Sequence, residues 1–118
     1  MARLPRLQAA GWPHLLVQRV HDGQLLARDD QDRQALLDCL REAARTHQVA
    51  IHAYTLAADH LHLLATPATD DGLSLLMQAL GRRYVAGYNR RHERHGGLWA
   101  GRFRATVIAV AGSNGKTT

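Results

Sequence analysis

Residues 49–67 contain the pattern that most constrains the fold of this chain. Histidine and leucine alternate from position 60 to position 63, which is typical of a strand that buries one of its two faces. An earlier apolar run, 49–56, predicts a preceding strand, and the short connection at 57–59 predicts that the two strands pair antiparallel. Pro67 is expected to end the second strand, because proline has no N–H to donate to the ladder.

His60 and His62 are the candidate metal ligands of this strand. Residues two apart on a strand point to the same face, so the two imidazoles are predicted to lie side by side. Leu61 and Leu63 would then point into the core. Two neutral imidazoles on one rigid strand form half of a divalent-metal site and leave positions open for a substrate oxygen. The alternative is a pair of half-exposed strand histidines that bind no ligand.

The other patterns give an order of strand, helix, strand, strand, helix and strand. The remaining predicted elements are a strand at 14–20, a helix at 31–47, a helix at 73–91 and a strand at 105–110. Asp29 or Asp30 is the expected N-cap of the first helix, and Asp32 is favourable in its first turn. This order predicts an α+β fold of the ferredoxin-like split βαβ type. In that fold a four-stranded antiparallel sheet carries two helices on one face.

Length and composition indicate a single domain. The chain has 118 residues, of which 46% are hydrophobic, as in an ordinary globular protein. Its one cysteine, Cys39, excludes an internal disulfide and a Cys-rich zinc site. Because no apolar run reaches the length of a membrane span and no secretory signal is evident, we expect a cytoplasmic protein without a membrane partner.

The net charge of +5 is unevenly distributed along the chain. Residues 1–71 hold seven Arg and nine acids, a net of −2, whereas residues 72–118 hold seven Arg, one Lys and one acid, a net of +7. Such asymmetry is typical of proteins that bind the phosphate backbone of nucleic acids. The candidate DNA-binding residues are Arg82, Arg83, Arg90, Arg91, Arg94, Trp99, Arg102 and Arg104. A solvated helix face, with Trp99 closing the core, is the alternative interpretation.

The run His-Ala-Tyr-Thr-Leu-Ala-Ala-Asp-His-Leu-His-Leu-Leu-Ala-Thr-Pro, residues 52–67, resembles the signature of the HUH single-tyrosine transposases, and most of all their REP-associated branch. The resemblance continues through residues 75–104 and in total covers about residues 12–109. It implies cleavage and rejoining of single-stranded DNA, with DNA hairpins as the recognition target. It also implies that His60 and His62 bind magnesium or manganese, which polarises the scissile phosphate. Whether the chain forms a homodimer stays open.

The nucleophile that the resemblance implies is a tyrosine on a helix after the fourth strand, in a Tyr-Ile-x-x-Asn-Pro-like segment. It attacks the phosphate and forms a 5′-phosphotyrosine. This sequence departs from that pattern after about Ala109. Tyr84 and Tyr88 are candidate substitutes, although their helical spacing is typical of packed rings, and Tyr54 is expected to be structural. We therefore expect a C-terminally truncated transposase with impaired cleavage; the alternative is a non-catalytic module that binds hairpin DNA.

Residues 112–117, Gly-Ser-Asn-Gly-Lys-Thr, resemble the phosphate loop of the Mur-type and folylpolyglutamate amide ligases. A loop of this kind binds anions together with the helix that follows it. We expect a transposase-like domain at residues 1–110 and a disordered tail at 111–118. A nucleotide-binding fragment is the third function that this sequence leaves open.

Overall fold

A computed structural model of the chain describes residues 9–108. Its elements are β1 (His14–Arg19), α1 (Asp30–Thr46), β2 (Val49–Leu56), β3 (His60–Pro67), α2 (Gly72–His92) and β4 (Arg104–Val107). The strands form one antiparallel sheet in the order β2-β3-β1-β4. The predicted α+β fold of the ferredoxin-like type is therefore confirmed. The predicted tail at 111–118, with its phosphate-loop resemblance, lies outside the described residues.

The side chains of the central strand β3 alternate between a covered face and an open face of the sheet. Leu61, Leu63 and Ala65 are 0% exposed and pack into the core with α1 and α2 on the covered face. His60 and His62 alternate with them and are only partly buried on the other side, because successive side chains of a strand point in opposite directions. We use open face for this side of the sheet, on which neither described helix packs.

The strand β1 lies beside β3 and has the same two faces. Leu16 is fully buried on the covered face, whereas its neighbour Leu15 is 42% exposed on the open face. Gln18 is also buried, and its amide group donates to the carbonyl oxygens of Arg19 and Gly101 at 3.0 and 3.1 Å. The hydrogen bond to Gly101 joins β1 to the segment that precedes β4.

Both helices pack their predicted apolar stripes on the covered face. The buried apolar residues of the two helices are Leu36, Leu40 and Ala43 in α1, and Leu73, Leu76, Met77, Leu80, Tyr84 and Tyr88 in α2. Burial of a leucine-sized side chain contributes about 1.5–3 kcal/mol, so these stripes hold the two layers together. Neither of these helices, within residues 9–108, is apolar over a length that could cross a bilayer.

The boundaries of α1 and β1 differ from the prediction by one residue. Asp29 is the N-cap of α1, because its carboxylate accepts a hydrogen bond from the N–H of Asp32 at 3.0 Å. The helix therefore begins at Asp30. β1 ends at Arg19. Val20 lies outside the strand, where it donates to the carbonyl oxygen of Asp59 and forms an isolated bridge with Trp99.

The boundaries of β3 and β4 also differ from the prediction. β3 includes Pro67 as its last residue, opposite Val49 of β2, so proline occupies the end of the ladder rather than the position after it. β4 is predicted at 105–110 but begins at Arg104 and ends at Val107. Residues 109 and 110 lie outside the described part of the chain.

The segment between α2 and β4 closes one end of the core. Leu98 is fully buried, and its carbonyl oxygen accepts a hydrogen bond from the N–H of His21 at 2.9 Å. Trp99 lies against Gly81 of α2, where an added Cβ would stand 2.7 Å from the indole Nε1. The glycine in the middle of α2 therefore permits the close approach of the indole ring.

Gly81→Ala is expected to lower the free energy of unfolding by about 1–2 kcal/mol. The indole of Trp99 would have to move, and overpacking of this kind outweighs the gain in helix propensity of about 1 kcal/mol. Gly87→Ala is the matched control in the same helix, since its Cβ would meet nothing within 4 Å, and it should stabilise the chain by up to about 1 kcal/mol. Urea unfolding followed by circular dichroism measures both, and equal stabilisation by the two variants would contradict the close packing.

Candidate metal half-site and nucleic-acid interface

The strand β3 places His60 and His62 side by side on the open face. Their ring centroids are 4.6 Å apart, and the ring planes make an angle of 75°. Both side chains are partly exposed. The structure thus brings together the two residues that the sequence predicts as metal ligands.

Asp59, the residue before β3, orients the ring of His60. Its Oδ1 lies 2.7 Å from Nδ1 of His60, and this hydrogen bond, helped by the charge of Arg19, lowers the pKa of the Asp59 carboxyl group. An ionised carboxylate accepts the proton on Nδ1, so the lone pair of the neutral ring is on Nε2. Ligand histidines are commonly held by a carboxylate in this way. Sequence reasoning placed Asp59 in a turn and assigned it no function.

The two histidines fit half of a divalent-metal site. Imidazole nitrogens are common ligands of divalent transition metals, and the strand fixes the spacing of these two. Within residues 9–108 no group of three or more His, Cys, Asp or Glu side chains could hold a metal ion. The described residues therefore supply two ligands, and further ligands would be water, phosphate oxygens or groups outside this range.

Tyr84 and Tyr88, the candidate nucleophiles, lie on the covered side of the sheet, away from the two histidines. The hydroxyl of Tyr84 donates to the carbonyl oxygen of Leu26, and that of Tyr88 donates to the carbonyl oxygen of Leu25 at 2.9 Å. Burial, and secondarily the charge of Asp32, raises the pKa of Tyr84 well above its usual value. Both hydroxyls thus tie the loop before α1 to α2.

Tyr54 also lies apart from the histidine pair. It stands opposite Leu63 in the ladder and lines a cavity of about 200 Å³ with residues of α1, including Leu37 and Leu40, so its ring is on the covered side. The sequence contains three tyrosines, and all three are in the described part of the chain. None of them shares the open face with His60 and His62.

The exposed arginines of α2 form a separate basic surface. Arg82, Arg83 and Arg90 are exposed, and within the described residues none of them takes part in an ion pair. Because α2 packs on the covered face, the sheet lies between these arginines and the histidine pair. The structure therefore does not bring them to the open face.

The remaining predicted DNA-binding residues have different surroundings. Arg94 donates to the side chain of Asn89 and to the carbonyl oxygen of Gly97, and so closes the end of α2. Trp99 packs against α2, as described above. Arg102 and Arg104 are exposed, and Arg104 lies opposite Val17 in β4, on the open face.

Arg91 belongs to a cluster of ionised groups that joins the two helices. It donates to Asp32 at 2.6 Å and makes two hydrogen bonds of 2.7 Å to Asp29. These carboxylates raise the pKa of Arg91 further, and the hydrogen bonds from Arg91 lower the pKa of Asp29. Arg91 of α2 thus forms a structural ion pair with Asp29 and Asp32 at the start of α1.

Asp32 is the centre of this cluster and is only 2% exposed. It also accepts hydrogen bonds from the N–H of Arg28 at 2.9 Å and from Nε2 of His92 at 2.7 Å. Burial opposes ionisation of this carboxyl group, but the hydrogen bonds from Arg28, His92 and Arg91 outweigh it, and the pKa is lowered. Sequence reasoning placed Asp32 in the first turn of the helix but had no signal for its partners Arg91 and His92, which are about 60 residues away in the chain.

The structure resembles solved transposases over most of the described chain. The structure of the REP-associated tyrosine transposase bound to a REP hairpin matches with a TM-score of 0.74 at 18% identity, over 93% of this chain and 64% of that one. A candidate transposase from Deinococcus radiodurans R1 matches with a TM-score of 0.66 at 22% identity, over 92% of this chain and 87% of that one. The fold is therefore that of the tyrosine transposases.

The family of the chain follows from its sequence. The model of the IS200-like transposases matches residues 14–114, so the chain belongs to this family. No curated protein matches the chain in sequence. The chain spans about 64% of the length of the REP-associated transposase. The family match runs as one segment to residue 114 and gives no support to the ligase resemblance of residues 112–117.

Asp32→Asn is expected to lower the free energy of unfolding by about 2 kcal/mol at neutral pH, because Arg91 and His92 lose the buried carboxylate to which both donate. Since the pKa of Asp32 is lower in the folded than in the unfolded chain, its contribution is present above about pH 4 and is lost as the pH falls below that value. Urea unfolding from pH 7 to pH 2 should therefore show the two proteins converging at acid pH. A difference that is independent of pH would contradict this account.

Proposed function

We propose that this chain is the metal- and DNA-binding part of a transposition protein. In this proposal it binds single-stranded or hairpin DNA, and His60 and His62 hold a divalent ion, magnesium or manganese, against one phosphate. The observation that carries the proposal is the position of the two imidazoles, 4.6 Å apart on the open face of the sheet.

A divalent ion bound to His60 and His62 would supply a Lewis acid that polarises a phosphodiester. The contribution of the chain itself is positioning. β3 fixes the spacing of the two rings. The hydrogen bond from Nδ1 of His60 to Asp59 fixes the orientation of that ring and leaves the lone pair on Nε2. The open face leaves room for the DNA strand, because neither described helix packs on it.

Charge and resemblance support DNA as the partner. Residues 72–118 carry a net charge of +7, and Arg82, Arg83 and Arg90 of α2 form no ion pair among the described residues. The similar REP-associated transposase is bound to a REP hairpin. Backbone phosphates are the groups that such arginines recognise. Hairpin DNA is therefore the partner that we propose for this chain.

The second candidate function is a module that binds hairpin DNA without chemistry. It is favoured by the placement of the tyrosines, since the hydroxyls of Tyr84 and Tyr88 are bound to carbonyl oxygens on the covered side and Tyr54 faces α1. We accordingly propose that no phosphotyrosine forms on this 118-residue chain. The two candidates then differ in whether DNA binding depends on a metal ion.

The double variant His60→Ala, His62→Ala is expected to bind Mn²⁺ at least about tenfold more weakly than the wild-type chain, because both imidazole ligands are removed. Isothermal titration calorimetry with MnCl₂ measures the loss. Mn²⁺ should also strengthen the binding of a hairpin oligonucleotide with a single-stranded extension to the wild-type chain, but not to the double variant.

His95→Ala is the matched control, because His95 is exposed in the loop after α2 and lies outside the histidine pair. It should bind Mn²⁺ and DNA as the wild type does. Equal hairpin affinity of the wild-type chain in Mn²⁺ and in chelator would reject the metal-dependent function and leave the non-catalytic module.

Hairpin binding is also expected to weaken steeply with salt. If several arginines neutralise phosphates, the affinity should fall by about 10-fold or more between about 50 and 200 mM salt. Arg82→Gln should reduce the slope by about one phosphate contact, whereas Arg33→Gln, on α1 and paired with Asp30, should leave it unchanged. Fluorescence anisotropy measures these slopes, and a flat salt response would exclude the basic surface of α2 from DNA binding.

A further inference from the structure

Arg19 lies directly beside the histidine pair on the open face. In the antiparallel ladder of β1 and β3, Arg19 is the partner of His60, and the preceding residue on the same face, Val17, is the partner of His62. Side chains that face each other across such a ladder have Cβ atoms about 4.5–5.5 Å apart. The side chain of Arg19 therefore leaves the backbone next to the side chain of His60.

The main chain of Arg19 is fixed, whereas its charged group is available. The carbonyl oxygen of Arg19 accepts hydrogen bonds from the N–H of Ala100 at 2.8 Å and from the amide of Gln18 at 3.0 Å. The side chain is exposed, and within residues 9–108 its guanidinium makes no hydrogen bond or ion pair. A rigid backbone thus presents a cation that forms no ion pair with a described residue.

Among the described residues, Arg19 shares its lack of an ion pair with Arg82, Arg83 and Arg90 of α2, and differs in this respect from two arginines of α1. On α1, Arg33 and Arg41 pair with aspartates of the same helix, Asp30 and Asp38. Asp59, the acidic residue nearest to the site, is instead engaged by His60. The guanidinium of Arg19 therefore has no ion pair among residues 9–108, although the negative charge of Asp59 is nearby.

We propose that Arg19 is a phosphate-binding residue of the histidine site, whose guanidinium donates two hydrogen bonds to the non-bridging oxygens of the phosphodiester that lies over His60 and His62. The planar guanidinium matches two phosphate oxygens, which an ammonium group cannot do. This inference rests on the proposed function, because it takes DNA as the ligand of the open face. It adds to the site a residue of β1 that sequence reasoning did not select.

The first test compares the DNA affinity of Arg19→Gln with that of the wild-type chain in Mn²⁺, using the same hairpin oligonucleotide. Loss of a bidentate, charge-assisted contact should weaken binding by about 10-fold or more. Arg19→Lys should recover only part of the loss, because it keeps the charge but not the paired donors. Arg41→Gln, an exposed arginine on α1, is the matched control and should bind as the wild type does.

The second test identifies the phosphate that Arg19 contacts. A series of oligonucleotides carries one neutral methylphosphonate, placed at each linkage in turn. For the wild-type chain one linkage in the single-stranded extension should weaken binding strongly when it is neutralised. For Arg19→Gln the same substitution should cause little further loss, because the two changes remove one contact. Additive losses at every linkage would overturn the proposal.

Mn²⁺ binding without DNA separates this inference from the proposed function. Arg19→Gln should bind Mn²⁺ as tightly as the wild type or more tightly, since a neighbouring positive charge is removed. If the His60→Ala, His62→Ala chain loses Mn²⁺ binding while Arg19→Gln binds DNA as Arg41→Gln does, only the assignment of Arg19 fails. If the double histidine variant keeps both Mn²⁺ and DNA binding, the proposed function itself fails.

Discussion

The alternation of side chains along β3 is the constraint on which the rest of the structure depends. Leu61 and Leu63 are completely buried on one face, so His60 and His62 must lie together on the other. A shift of one residue in the register would bury the imidazoles and expose the leucines, and the loss of apolar burial prevents it. The hydrophobic core therefore holds the candidate metal ligands in place.

The two faces of the sheet also divide the positive charge of the chain. Arg19 and Arg104 lie on the open face with the histidines, whereas the exposed arginines of α2 lie on the covered side of the sheet. Arg91 is committed to Asp29 and Asp32 and joins the two helices. A basic composition alone does not distinguish arginines that stabilise the fold, such as Arg91, from arginines that are exposed to solvent.

The packing of Tyr84 and Tyr88 limits their ability to act as nucleophiles. Tyr84 and Tyr88 have hydroxyl groups, but both donate to carbonyl oxygens of the loop before α1, and burial raises the pKa of Tyr84. A nucleophilic phenol needs access to the phosphate and an accessible proton. The chain belongs to the IS200-like transposases, and none of its three tyrosines shares the open face with His60 and His62.

The sequence by itself determined the order of the elements, the pairing of β2 with β3 and the common face of His60 and His62, because these depend on local periodicity and turn chemistry. Only the tertiary structure decided which groups meet across the chain. Arg91 and His92, which donate to Asp32, are about 60 residues distant, and Arg19 lies beside His60 only because β1 pairs with β3. Such contacts follow from the packing of layers and the register of strands, which no local pattern specifies.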